Sequence, residues 1–116
     1  MFYEYNGKRY PFDMTDVDTV ERYENAAQKL SDESKRAPKD GRKSEMLRFL
    51  LNAYNTFFDE LFGPGTSEEL FGESKSVGMR EDAYTTMLDF IVQQNTARQA
   101  IHSKYSVNRA QRRAKE

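Results

Sequence analysis

Three long stretches of this chain place apolar residues at alternating spacings of three and four, a pattern that predicts amphipathic helices. The first helix is predicted to be capped by Thr15 or Asp16 and to run to about residue 34, and the third to run from about Met79 to Ile101 or beyond. The second, from about Ser44 to Phe62, has the widest apolar face and is the predicted central helix. Its apolar residues are Met46, Leu47, Leu50, Leu51, Tyr54, Phe57, Phe58, Leu61 and Phe62.

Residues 2–14 predict a β-hairpin that precedes these helices. The pair Asn6-Gly7 is flanked by aromatic and β-favouring residues, and both residues tolerate the positive φ that a two-residue hairpin turn requires. Pro11 lacks a backbone N–H, so we expect the second strand to end there or to lie at an edge. Because an isolated two-stranded ribbon is only marginally stable in water, the hairpin is predicted to lie on the helices.

A near-repeat links the second helix to the third. Segments 59–63 (DELFG) and 68–72 (EELFG) each resemble the end of a helix, where Gly adopts the positive φ that closes it. Pro64 prevents the helix from continuing, and Thr66 with Glu69 predicts a capping box that begins a new one. We therefore predict a corner, a short elbow helix and a second corner.

Composition places these elements in one modest domain. Hydrophobic residues make up 37% and charged residues 32% of the 116 positions, so little apolar material is available for a core. The predicted fold is mainly α, with three principal helices, the elbow helix and the N-terminal hairpin in one domain over residues 1–105. Eight Phe, seven Tyr and five Met residues are abundant for this size, and such side chains are enriched where proteins meet partners.

The net charge of −1 is unevenly distributed. Residues 98–116 carry six basic and one acidic side chain, a net of +5, which leaves −6 on the rest of the chain. The segment 106–116 has almost no apolar anchor, so we predict a basic C-terminal tail that is disordered when alone. Such a tail could contact nucleic-acid phosphates, fold onto an acidic protein, or stay solvated without a partner. The basic residues assigned to this tail surface are Lys104, Arg109, Arg112, Arg113 and Lys115.

Catalytic and metal-binding patterns are absent from the sequence. There is no Cys, and the single histidine, His102, lies in a polar stretch without the converging groups of a catalytic site. Asp16 and Asp18 are explained by capping and by the helix dipole. We predict no enzyme activity, cofactor or metal. No apolar run reaches the length of a membrane span, and the N-terminus lacks signal-peptide features, so the cytoplasm is the expected location.

Three segments, in this order, resemble small tail-region proteins of siphophages and of prophages from Gram-positive bacteria. They are 6–10 (NGKRY), 58–66 (FDELFGPGT) followed by 70–72 (LFG), and 104–113 (KYSVNRAQRR). The resemblance implies a tail assembly chaperone. Such proteins are small, helical and non-enzymatic, and they coat the long tape measure protein before the tail tube polymerises around it.

This resemblance leads to a hypothesis about the binding site. We expect an apolar groove between the second and third helices to bind the tape measure protein or another phage tail protein in the host cytoplasm, and we expect self-association. The groove residues would be Phe57, Phe62, Phe71, Met87 and Phe90. Two alternatives are a regulatory or nucleic-acid-binding phage protein that acts through the basic tail, and an inhibitor of a host defence protein.

Overall fold

The computed structural model describes the backbone of residues 1–115 and the side chains of residues 1–101. It confirms the predicted class, a mainly α fold with an N-terminal hairpin. The elements are β1 (Phe2–Tyr5), β2 (Lys8–Pro11), α1 (Val17–Lys35), α2 (Lys43–Phe62), α3 (Thr66–Phe71) and α4 (Val77–Lys115).

The hairpin has the predicted turn and lies on the helices. β1 and β2 pair antiparallel, with Tyr5 opposite Lys8, and the turn residues Asn6 and Gly7 have φ of 51° and 77°. The Tyr3 hydroxyl donates to the Ala83 carbonyl of α4 at 2.7 Å, and the Asn6 amide donates to the Leu70 carbonyl of α3 at 2.9 Å. These hydrogen bonds attach a ribbon that would be marginal alone to the helical body.

The helix ends agree with the sequence in part. The Asp16 carboxylate caps α1 by accepting from the Thr19 N–H at 3.0 Å, as predicted. The predicted capping box at Thr66 is wrong, because Gly65 is the N-cap of α3 and the Thr66 hydroxyl donates to the Gly63 carbonyl. The Asp59 carboxylate of α2 supplies the cap instead, accepting from the Ser67 N–H at 2.8 Å.

The core lies where the hairpin, α1, the C-terminal half of α2, α3 and the first half of α4 meet. In α1, Leu30 is buried and Tyr23 and Ala27 pack against the core, whereas Val17 at the start of the helix is 69% exposed. The buried core residues are Tyr3, Phe12, Ala26, Leu30, Ala53, Phe57, Phe58, Leu61, Leu70, Phe71, Ala83, Met87 and Ile91.

Helices α2 and α4 run in the same direction. Asn55 of α2 accepts a hydrogen bond from Arg80 near the start of α4, while Phe62 at the end of α2 and Phe90 further along α4 both contact the Phe12 ring. The connection through α3 returns the chain along α2 before α4 begins. The two helices are therefore staggered: α2 extends beyond the core at one end and α4 at the other.

The C-terminal half of α4 leaves the core after Gln94. Although its sequence neighbours are polar, Gln94 is buried, donating to the Phe12 carbonyl and accepting from the Met14 N–H, both at 3.0 Å. Every residue over 95–101 is exposed. The helix continues to Lys115, where disorder was predicted from residue 106, and the molecule is 70 Å long.

Candidate partner-binding surface

The predicted groove between the second and third helices is not a surface. Phe57, Phe71 and Met87 are 1%, 4% and 0% exposed, and Phe62 and Phe90 are partly buried and packed against the same core. Three of the five predicted residues therefore cannot contact a partner in this conformation, and the other two contribute to holding the domain together.

The N-terminal hairpin occupies the space that the sequence assigned to a partner. The Phe62 ring stacks on Tyr3 and Tyr10, with ring centroids 5.8 Å and 4.8 Å apart. Phe12 packs against Phe62 and Phe90 at 5.7 Å and 6.1 Å. Each aromatic pair adds about 0.5–1.5 kcal/mol beyond area burial, so this cluster fixes the hairpin to the helices.

A different apolar surface remains outside the core, on the N-terminal half of α2. All five of its apolar side chains are partly exposed, and none belongs to the core or to the partly buried side chains packed against it. We call this set the α2 patch: Met46, Leu47, Phe49, Leu50 and Leu51. The sequence pattern had identified four of these residues as helical, with no signal for their exposure; Phe49 had been missed.

The stagger of the helices explains why the α2 patch is bare. Arg80, one turn into α4, donates from Nε to the Asn55 Oδ1 at 2.9 Å, so α4 begins level with the middle of α2. No part of α4 accompanies residues 43–51. Only the C-terminal half of α1 and the polar segment before α4 lie beside them, which leaves apolar side chains around this half helix without a covering element.

Three hollows surround the α2 patch. A groove of about 270 Å³ lies between α1 and α2, with Leu30, Phe49 and Phe57 in its walls. A second hollow of about 290 Å³ adjoins it at Phe49 and is lined by Arg48. A third, of about 150 Å³, has Leu47, Leu51 and Lys75 in its walls. The patch thus presents concave apolar surface on more than one side of the helix.

The surroundings of the α2 patch are basic. Residues 35–48 hold six basic and two acidic side chains, a net of +4. The rim residues are Arg42, Lys43, Arg48 and Lys75; all are exposed, and none forms an ion pair with a residue that the structure describes. Arg42 and Lys43 also stand at the positive end of the α2 dipole, where cations are unfavourable, and Arg42 provides no side-chain cap.

The acidic residues near the groove are already paired. Glu60 bonds Lys29 at 2.5 Å across α1 and α2, and this contact raises the pKa of the Lys29 ammonium. Glu33 pairs with Arg36 at 3.6 Å. Both pairs are largely exposed and add little stability. Glu45, which lines the second hollow, and Asp40 form no ion pair with a described residue, but the basic side chains outnumber them, so the charge of this end is positive.

Arg80 is a buried cation with a structural role. Only 3% of it is exposed, its guanidinium lies 4.4 Å from the centre of the Phe71 ring, and Nη1 donates to the Ser76 carbonyl at 2.9 Å. Burial lowers the pKa of this group. Together with the hydrogen bond from Nε to Asn55, these contacts join α2, α3 and the start of α4.

The described part of the chain has neither a metal-binding cluster nor a membrane-spanning helix. Among the described residues, no three His, Asp or Glu side chains are placed to hold a metal ion. No described helix combines the length and hydrophobicity needed to cross a bilayer. His102 and the basic-tail side chains of Lys104, Arg109, Arg112, Arg113 and Lys115 lie outside the described side chains.

Comparison with known proteins identifies a family and no activity. The model of a family of unknown function, DUF6673, matches residues 6–116, so the chain belongs to that family. No curated protein and no solved structure matches the chain.

Proposed function

We propose that this member of a family of unknown function is a non-enzymatic phage tail assembly chaperone that binds the tape measure protein in the host cytoplasm. The observation that carries the proposal is the α2 patch, five large apolar side chains that the fold leaves outside its core. The resemblance of segment 58–66 to tail-region proteins supports the phage assignment.

The proposed task requires an exposed apolar surface on a stable small domain. A tape measure protein is long and helical, and its apolar stripes would aggregate before the tail tube covers them. A rigid core that presents one half of α2 offers a docking site for such a stripe. Many copies bound along one long chain would protect it through multivalency, even if each contact is weak.

Apolar substitutions in the α2 patch test this proposal. Leu47→Gln with Leu51→Gln keeps good helix formers and removes the apolar surface. The matched control is Val17→Gln with Val92→Gln, which alters two side chains that are 69% and 62% exposed elsewhere on the molecule. We expect the first variant to lose co-purification with the co-expressed tape measure protein, which then precipitates. The control should still co-purify with the tape measure protein and keep it in solution.

The result that would overturn the proposal is equal co-purification of the two variants, or no association of the natural chain with the tape measure protein. A thermal unfolding curve of each variant shows whether it is folded. Isolation of the natural chain with a host protein instead would support inhibition of a host defence protein, the alternative that sequence analysis left open.

Nucleic-acid binding is the second candidate function, because α4 extends from the body and residues 98–116 carry a net charge of +5. Phosphate contacts made by such a segment release counterions, so affinity for duplex DNA would fall steeply with salt. Removal of residues 106–116 should abolish that affinity and leave binding through the α2 patch unchanged. Self-association stays a prediction.

A further inference from the structure

We propose that the α2 patch binds a particular class of ligand, an amphipathic helix of another protein whose apolar stripe is flanked by acidic side chains. The inference rests on the proposed function and specifies the chemistry of the segment that this chain recognises. It follows from three properties of the patch: the geometry of the uncovered helix, the sign of the surrounding charge, and the composition of the other surfaces of the same chain.

The geometry favours a helical ligand. Leu47 and Leu51 lie one turn apart on α2, as do Met46 and Leu50, so the patch spans about 7.5 Å of the helix axis. α4 packs beside the second half of α2 but is missing beside the first. A ligand helix of two to three turns placed there would supply the missing neighbour, by the packing of side-chain ridges into grooves that helices use.

The charge favours acidic flanks. Arg48 lines the second and third hollows, Lys75 lines the third, and Arg42 and Lys43 are the N-cap and the first residue of α2. Acidic side chains on the ligand would meet these unpaired cations and would also be attracted by the positive end of the α2 dipole. Basic flanks would be placed against the same cations, which is costly at an interface.

Three other surfaces of the chain fit the α2 patch poorly, which argues against their docking from a second copy. Two α2 patches facing each other would oppose two ends of net charge +4. The C-terminal part of α4 is basic, with +5 over residues 98–116. The elbow 59–73 has five acidic and no basic residues, but its Leu70 and Phe71 are buried, so it offers charge without an apolar stripe.

The test uses two designed peptides with the full-length protein. Both carry leucines at positions i, i+3, i+4 and i+7 of one helix; the first has glutamates at the flanking positions and the second has lysines. We expect the glutamate peptide to bind about tenfold or more tightly at low salt, as opposite charges at an interface rim predict. Fluorescence anisotropy of labelled peptides measures both affinities.

Charge-reversal variants of the protein test whether the preference for the glutamate peptide depends on the basic rim of the α2 patch. Arg48→Glu with Lys75→Glu should remove or invert the preference for the glutamate peptide. The control Arg22→Glu with Lys8→Glu changes the total charge equally at exposed positions outside the patch and its rim, and it should keep the preference. All four residues are exposed, so the folds of both variants should survive, which circular dichroism checks.

Several results would overturn the inference: equal affinity for the two peptides, no binding of either, or the same loss in both reversal variants. Tighter binding to anionic phospholipid vesicles or to duplex DNA than to the glutamate peptide, when abolished by Arg48→Glu with Lys75→Glu, would also overturn it. Loss of tape measure binding in the Leu47→Gln, Leu51→Gln variant but not in the charge-reversal variant would retain the proposed function and reject only the acidic partner.

Discussion

The two halves of α2 have similar apolar content and opposite environments. In the C-terminal half, Ala53, Phe57, Phe58 and Leu61 are all buried. In the N-terminal half, the five apolar residues of the α2 patch are all partly exposed. The difference comes from the neighbours: the hairpin, α3 and α4 surround the second half, whereas α4 starts too late to cover the first.

This difference shows that apolar periodicity marks a face that can be buried, without specifying what buries it. In the second half the covering element belongs to the same chain. In the first half the chain provides none, and the surrounding charge is positive and unpaired. The first half is therefore the place where binding of another protein would gain most from burial, because apolar area there is still in contact with water.

The largest expected effect is a difference between the two halves of α2 in how much a substitution lowers the free energy of unfolding. Phe58 is 0% exposed, so Phe58→Ala should lower the free energy of unfolding by about 3–5 kcal/mol through lost burial and a residual cavity. Leu47→Ala should lower it by less than about 1 kcal/mol, because Leu47 is partly exposed and lies outside the core cluster. Urea unfolding measures both values, and similar losses would contradict the distinction.

Alkaline pH should destabilise the core that surrounds the C-terminal half of α2. Burial is the main cause that raises the pKa of Tyr3, Tyr10 and Tyr23, with Tyr10 raised to about 12. A raised pKa in the folded state means that the stabilisation is present below the unfolded value of about 10 and is lost as pH rises through the folded value. Urea unfolding at increasing pH should therefore show falling stability above about pH 10.

Tyr3→Phe is the variant for this pH series. The substitution removes the hydrogen bond from the Tyr3 hydroxyl to the Ala83 carbonyl, which should lower the free energy of unfolding by about 1 kcal/mol at neutral pH. The decline of that free energy above pH ~10 should become shallower, because one titrating hydroxyl is gone. Tyr10→Phe is the comparison at neutral pH: the Tyr10 hydroxyl makes no hydrogen bond of good geometry, although the nearby Glu69 carboxylate contributes to the rise in its pKa, so its removal should change stability little. A stability that stays constant at alkaline pH would contradict this account.

The smallest expected effect concerns the start of α2, and it is a gain. Arg42 is the N-cap but makes no capping hydrogen bond, and its extended backbone (φ −77°, ψ 142°) suits a capping residue. Arg42→Ser would place serine three residues before Glu45, the spacing of a capping box, and should stabilise the protein by about 0.5–1 kcal/mol. Binding of the glutamate peptide should weaken, because a rim charge is lost. A loss of stability would contradict the capping argument.

Local signals explain what the sequence predicted correctly. The Asn6-Gly7 turn, the Asp16 cap and the glycines at the ends of α2 and α3 act through neighbours within a few residues, so they can be identified without a structure. Gly63 and Gly72 have the predicted positive φ, of 113° and 58°. The order and type of all the elements followed from such signals and from apolar spacing.

Contacts between distant segments explain what the sequence missed. The Gln94 side chain is buried because it bonds backbone groups of Phe12 and Met14, about eighty residues away, and no local pattern marks it. The cap of α3 comes from Asp59 on the preceding helix. The burial of the residues predicted to line a groove was missed for the same reason: periodicity identified Phe57, Phe71 and Met87 as apolar but did not show that the hairpin, α3 and α4 enclose them.

Methionine oxidation by peroxide tests the central claim most directly, because the chain contains its own probe and control. Met46 lies in the α2 patch and is partly exposed, whereas Met87 is 0% exposed in the core. Mass spectrometry should show that Met46 is converted to sulfoxide much faster than Met87 in the free protein, and that a bound partner slows the oxidation of Met46 alone. Two results would contradict the account: equally slow oxidation of both residues in the free protein, or oxidation of Met46 that is not slowed when the partner binds.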